Sequence, residues 1–170
     1  MHSIQSIIGD YKDFVSNLLM CLMEKNIEIN NYQIDHLCYR TKTLDEYNSM
    51  KKNIMLFSKA YVENVHHGRP ITKFILIKPL KYKNYSIPLI ELPSPQKNIV
   101  YNSGLEHLEI VVGDNFNILK NKYKSIWTGS DDSGAYNQTI FIDFNEHKVK
   151  FHQYSLLEVL KLENRKFTKI

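Results

Sequence analysis

Two successive runs with the same order of elements, an apolar stripe at helical spacing ahead of them, and ligand-type residues at matching strand positions predict an α+β fold. In it, two paired βαβββ modules form an open, cupped sheet, with an added N-terminal helix and a C-terminal helix. The chain reads as one domain, 1–170, divided into an N-terminal helix (1–30), a first module (31–96), a second module (104–154) and a C-terminal helix and tail (155–170). With 170 residues, 43% hydrophobic and 24% charged, it has the composition of a globular domain large enough to bury a core.

From Ile4 to Leu22, apolar groups recur at Ile7, Ile8, Tyr11, Phe14, Val15, Leu18 and Leu19, which makes one stripe on a helix. Gln33 to Thr41 is rich in β-branched and aromatic residues and reads as a strand. Thr43 with Glu46 forms a capping-box pattern that opens a helix through about Asn53. Three extended runs follow, Ala60 to Val65, Ile71 to Lys78 and Tyr85 to Leu92, separated by the turn around His66, His67 and Gly68 and by Pro79 to Asn84. Pro93 to Gly104 is poor in apolar periodicity and reads as a linker. The order then restarts: a strand from Leu105 to Val112, a helix capped by Asp114 through about Ile126, and strands Gln138 to Phe144 and Lys148 to Gln153. Trp127 to Tyr136 reads as a short strand or a loop. Ser155 caps a last amphipathic helix.

Charge and cysteine content exclude several classes. The net charge is +4, but the 22 Lys and Arg are spread along the chain without a basic tract, so no nucleic-acid partner is expected. The apolar stretch Val15 to Met23 is too short to span a bilayer, and no signal segment precedes it, so the expectation is a cytoplasmic protein with no membrane partner. Cys21 and Cys38 form no CxxC motif and suggest no disulfide framework.

The modules echo each other in letters only at Asp35-His36-Leu37 and Glu106-His107-Leu108, each in its module's first strand. In a paired cup, the first and last strands of each module supply the floor, and those strands carry His36, Glu91, His107 and His152. Imidazole and carboxylate together are a borderline ligand set for one divalent transition metal, Zn²⁺, Ni²⁺, Co²⁺, Mn²⁺ or Fe²⁺. Period-two alternation adds Cys38 and Arg40 to the face of His36, Glu109 to that of His107 and Lys150 to that of His152. An acid within Ile-Pro-Leu-Ile-Glu91-Leu has no evident structural reason to be there. The blander readings are surface histidines at His66 and His67, a structural salt bridge at Arg69 in place of an anion clamp, an inert buried Cys38, and a plain turn from Gly129 to Gly134.

The runs Asp35 to Arg40, Gly68 to Ile71, Ser86 to Pro93, Leu105 to Val111 and Val149 to His152 closely resemble the YecM family of the vicinal-oxygen-chelate superfamily, which also holds glyoxalase I and extradiol dioxygenases. The resemblance spans nearly the whole chain. It implies a paired βαβββ fold with metal ligands from the first and last strands of each module, here His36, Glu91, His107 and His152. The fourth place, a Glu in many metalloenzymes of the superfamily, would be His152. The first functional reading is a metal-dependent lyase or isomerase acting on a small metabolite that chelates the ion through adjacent oxygens, with Glu109 as general base and Arg40 as anion clamp. A non-catalytic protein that binds a metal or small ligand is the second. With Fe²⁺, a non-haem iron dioxygenase is the third. A monomer or homodimer serves any of them.

Overall fold

The computed structural model describes residues 3–66, 68–131, 136 and 138–170; His67, and positions 132–134 of the Gly129 to Gly134 turn, lie outside the described residues. Elements run α1 (Gln5–Ile8), α2 (Tyr11–Glu24), β1 (Gln33–Arg40), α3 (Leu44–Met55), β2 (Ser58–His66), β3 (Arg69–Tyr82) and β4 (Tyr85–Pro93). After an irregular connection come β5 (Gly104–Val111), a 3₁₀ turn (Gly113–Asn115), α4 (Phe116–Lys122), β6 (Gly129–Asp131), β7 (Thr139–Phe144), β8 (His147–His152), α5 (Leu156–Leu162) and β9 (Thr168–Lys169).

These strands form a nine-stranded sheet in the order β6-β7-β8-β5-β1-β4-β3-β2-β9. Within each half the first strand pairs parallel with the fourth (β1 with β4, β5 with β8), while β1 and β5 join the halves antiparallel. This is the predicted pair of βαβββ modules, the vicinal-oxygen-chelate fold. Alternation along the central strands separates two faces: Leu37, Leu108 and Ile110 are fully buried in the apolar core, and their neighbours His36, His107 and Glu109 point to the other side. The core face is covered by α2, which buries Tyr11, Phe14, Val15, Leu18 and Leu22, and by α3, which buries Tyr47, Met50 and Ile54. Each such aliphatic or aromatic group contributes about 1.5–3 kcal/mol relative to exposure.

Several boundaries differ from expectation. The first helix is broken: Gly9 takes φ 88° and Asp10 caps α2 by accepting from the amides of Lys12 and Asp13. The strand expected to end before Pro79 continues to Tyr82, because the extra residues between Ile75 and Leu80 form an irregularity that accommodates a proline without an amide donor. Asp114 makes no cap, and α4 is correspondingly short and preceded by a 3₁₀ turn. The ambiguous stretch after Trp127 does yield a strand, β6, paired with β7. The short β9, for which the sequence offers no pattern, lies along β2 and covers an otherwise open sheet edge. At α5 the expected cap is complete, with Ser155 and Glu158 bonding reciprocally.

Candidate metal centre

The join between β1 and β5 carries two irregularities that shape the site. Ile34 pairs with Ile110 and His36 with Glu109, so Asp35 is an extra residue on β1; Cys38 pairs with His107 and Tyr39 with Leu105, so Glu106 is an extra residue on β5. Bulges redirect side chains. Here each bulged acid turns back onto the histidine that follows it. His36 Nδ1 lies 2.7 Å from Asp35 Oδ2, and His107 Nδ1 lies 2.7 Å from Glu106 Oε2. With Nδ1–H donating to a carboxylate, each ring presents Nε2 to the cup, the arrangement that orients imidazoles toward a metal. Both Nε2 atoms are buried and, among the described residues, make no well-aligned hydrogen bond.

Two carboxylates face these nitrogens. Glu109 places Oε1 3.2 Å from His107 Nε2 and Oε2 3.3 Å from His36 Nε2; Glu91 Oε2 lies 3.6 Å and 3.9 Å from the same two atoms. One ligand atom from each of His36, Glu91, His107 and Glu109 falls within 4.8 Å of the others. Two orphaned imidazole nitrogens and two carboxylates, held on rigid strands, fit a divalent transition ion.

The structure thus brings three of the four expected ligands, His36, Glu91 and His107, into one cluster. His152 lies beside it, with Nε2 2.6 Å from Glu109 Oε2 and its ring close to the Thr139 hydroxyl. The register corrects one premise about its place. Glu91 pairs with Cys38, two residues beyond His36; the counterpart two residues beyond His107 is Glu109, and its partner is Lys150. Lys150, not His152, therefore stands across the pseudo-twofold from Glu91. Its ammonium is 3.0 Å from Glu109 Oε1.

Arg40 and Glu109, expected as anion clamp and base, both line the cup. Arg40 Nε is bound to Glu106 Oε2 at 2.7 Å, so the same oxygen joins the guanidinium to His107. Asp35 has a comparable double duty, since its Oδ2 also accepts from the Leu156 amide at the start of α5, 3.1 Å away. Sequence reasoning gave Asp35 and Glu106 no role, although an acid ahead of each histidine was visible in the echo between modules. Cys38 is a buried free thiol whose sulfur lies within ligand range of His107 and Glu106.

Charge in the cluster is mutually compensated. Burial alone would lower the His36 pKa, yet the Glu109 charge and the Asp35 hydrogen bond raise it to about 10. His107 is raised well above its ordinary value against the same burial penalty, with help from Cys38 and Glu106. Burial would raise Glu91 and Glu109, but the imidazoles and Lys150 hold both well below the usual carboxylate range. Lys150 is pushed up by Glu109 and Glu91 despite its burial. The cup above the cluster has a volume of about 310 Å³, and Leu156, Val159 and Leu160 of α5 form part of its wall.

The paired βαβββ sheet is a vicinal-oxygen-chelate fold that carries a histidine and carboxylate cluster in its cup. The family profile described as YecM protein matches residues 3–135, and the chain belongs to the YecM family. It is 22% identical to Protein YecM of Escherichia coli strain K12, with 94% of each chain covered. An uncharacterized protein of Haemophilus influenzae is 27% identical over 110 residues, a match that takes in 65% of this chain and 58% of that relative's length. The solved structure of Protein EC4020 has the same fold, with a TM-score of 0.69 at 22% identity and coverage of 96% of this chain and 97% of that one. Among the described residues no helix is long and apolar enough to cross a membrane.

Proposed function

We propose that the cup is a divalent-metal centre acting on a small metabolite that presents adjacent oxygens, as a lyase or isomerase. The observation that carries this reading is the pair of buried Nε2 atoms of His36 and His107, each oriented by a carboxylate at Nδ1 and both turned toward the carboxylates of Glu91 and Glu109. Both nitrogens face the Glu109 carboxylate at 3.2–3.3 Å, so an ion bound between them would replace the protons that this acid now holds there. His36, His107, Glu91 and Glu109 would hold the ion, while His152 steers Glu109 through their 2.6 Å contact. When bound, the ion would supply Lewis acidity toward a developing enolate or alkoxide. Asp35 and Glu106 fix the two rings, Arg40 anchors Glu106, and α5 narrows access of water.

The test is elemental analysis of protein purified without chelator, followed by competitive metal titration of alanine variants. Close to one equivalent of a first-row metal is expected. His36→Ala, Glu91→Ala, His107→Ala and Glu109→Ala should each lose metal, whereas His152→Ala should weaken binding by roughly ten- to hundredfold, the usual cost of an outer-shell partner. A protein that neither carries nor takes up metal would end this reading. A His152→Ala loss as large as that of His36→Ala would make His152 a ligand. Turnover of α-ketoacids, hemithioacetals or catechols by the loaded protein would separate catalysis from sequestration.

A further inference from the structure

Most cations around the cup are matched by acids. Arg40 is paired with Glu106 at 2.7 Å, Lys150 with Glu109 at 3.0 Å and Lys148 with Asp143 at 3.1 Å. Two are not. Arg69 and Lys73 lie on β3 with Ile71 between them, and alternation sends all three into the cup. Arg69 Nη1 donates to the Ser94 carbonyl at 2.9 Å and to the Tyr101 hydroxyl at 3.4 Å, and its buried Nε makes no hydrogen bond among the described residues. Lys73, only 6% exposed, donates to the Asn64 side-chain oxygen. All of these acceptors are neutral. A cation that is half-buried, as at Arg69, or buried, as at Lys73, and has no ion-pair partner among the described residues carries a desolvation cost that a surface cation avoids, and an anion supplied from outside would offset it. Lys73 also sits directly across from Glu91 in the β3–β4 register, which brings it next to the candidate centre.

We propose that the ligand of this cup carries a carboxylate or phosphate group, received over Ile71 by Arg69 and Lys73, in addition to the oxygens that face the metal. The oxyanion site stands on its own geometry; only its link to a chelating substrate rests on the metal reading. Arg69 and Lys73 are about 13 Å apart along the strand by backbone rise. Their long side chains can converge on one group above Ile71. The Tyr101 ring, 5.7 Å from the Arg69 guanidinium carbon and 5.2 Å from that of Arg40, backs this end of the cup. The occupant is then a short oxygen-rich acid, with its anionic group on β3 and its vicinal oxygens toward β1 and β5.

Calorimetric titration with inorganic phosphate and with succinate, on chelator-treated and on metal-loaded protein, tests this, with the Arg69 Nε–H resonance followed in parallel. Saturable binding is expected in both preparations, with a shift of that resonance, and the tighter anion identifies the group. Arg69→Gln and Lys73→Gln should each weaken binding at least about tenfold, the lower end for loss of a charge-assisted hydrogen bond, with metal content unchanged. Arg69→Lys should recover part of the loss. If a variant does not fold, the resonance in the wild-type protein still decides. No saturable binding of either anion, or binding that both Gln variants leave intact, would overturn the proposal. Anion binding by a protein that takes up no metal would sustain it and remove only the metal reading.

Discussion

His36 is held by groups that favour its protonated form, so a metal must displace a proton to reach Nε2. Its pKa of about 10 leaves the ring charged at neutral pH, and His107 is raised in the same direction. A raised folded-state pKa means that the histidine contribution to stability is complete below the unfolded value, about 6.5, and is lost as pH climbs through the folded one. Glu109, depressed in the fold, contributes above the unfolded carboxylate value of about 4.3, and its share is lost as pH falls. The metal-free protein should therefore melt highest between those limits and decline in alkali. Metal binding should show the opposite slope, strengthening from pH 6 toward 9 with release of about two protons near neutrality. Calorimetry in buffers of different ionisation enthalpy reads that number directly, and zero protons released would rule out protonated histidines at this centre.

On the scale of an element, β1 and β5 do most of the positioning. His36, Glu91 and His107 were legible because strand alternation and module order are both written in the chain. Register was not, since one residue of slip leaves composition and period unchanged. His152 was accordingly set opposite Glu91, a place that the pairing gives to Lys150. Bulges are equally silent: a period-two reading has no symbol for an added residue. Yet the Asp35 and Glu106 bulges bring the acids that orient the rings. Asp35→Asn and Glu106→Gln should each weaken metal affinity roughly ten- to hundredfold with little change in the sheet. Metal titration against a competing chelator measures this, and unchanged affinity in both variants would reduce these contacts to packing.

For the whole molecule, the fold was readable because its two halves repeat one order of elements, and repetition restrains each assignment with the other. What escaped lies where local chemistry is weak or tertiary. The break between α1 and α2 turns on a Gly9-Asp10 pair that the apolar stripe runs straight across. The β9 strand exists only because the edge of β2 is there to pair with it. The proposed anion-binding end of the cup was harder still. The sequence leaves Arg69 open between a salt bridge and an anion clamp, and the acceptors it finds, the Ser94 carbonyl and Tyr101, are neutral.

The paired bulges also make the chain's tolerance to change depend on length more than on identity. Ile34 enters the core and His36, two residues on, faces the cup; on an unbroken strand both would share a side. Asp35 therefore acts as a phase marker between two facings of one strand, and Glu106 does so on the other. Replacing Asp35 with glycine keeps the count and forfeits its hydrogen bonds, a loss of about 1–3 kcal/mol. Deleting it keeps every other residue but puts the core and cup sides out of step. The deletion should abolish the folded, metal-competent state, while Asp35→Gly stays folded with weakened metal binding, as thermal melts and soluble yield of the two variants will report. Equal behaviour would mean that the strand slips freely. If the phase is fixed, homologous chains can vary widely in letters here and still be forbidden to gain or lose a single residue.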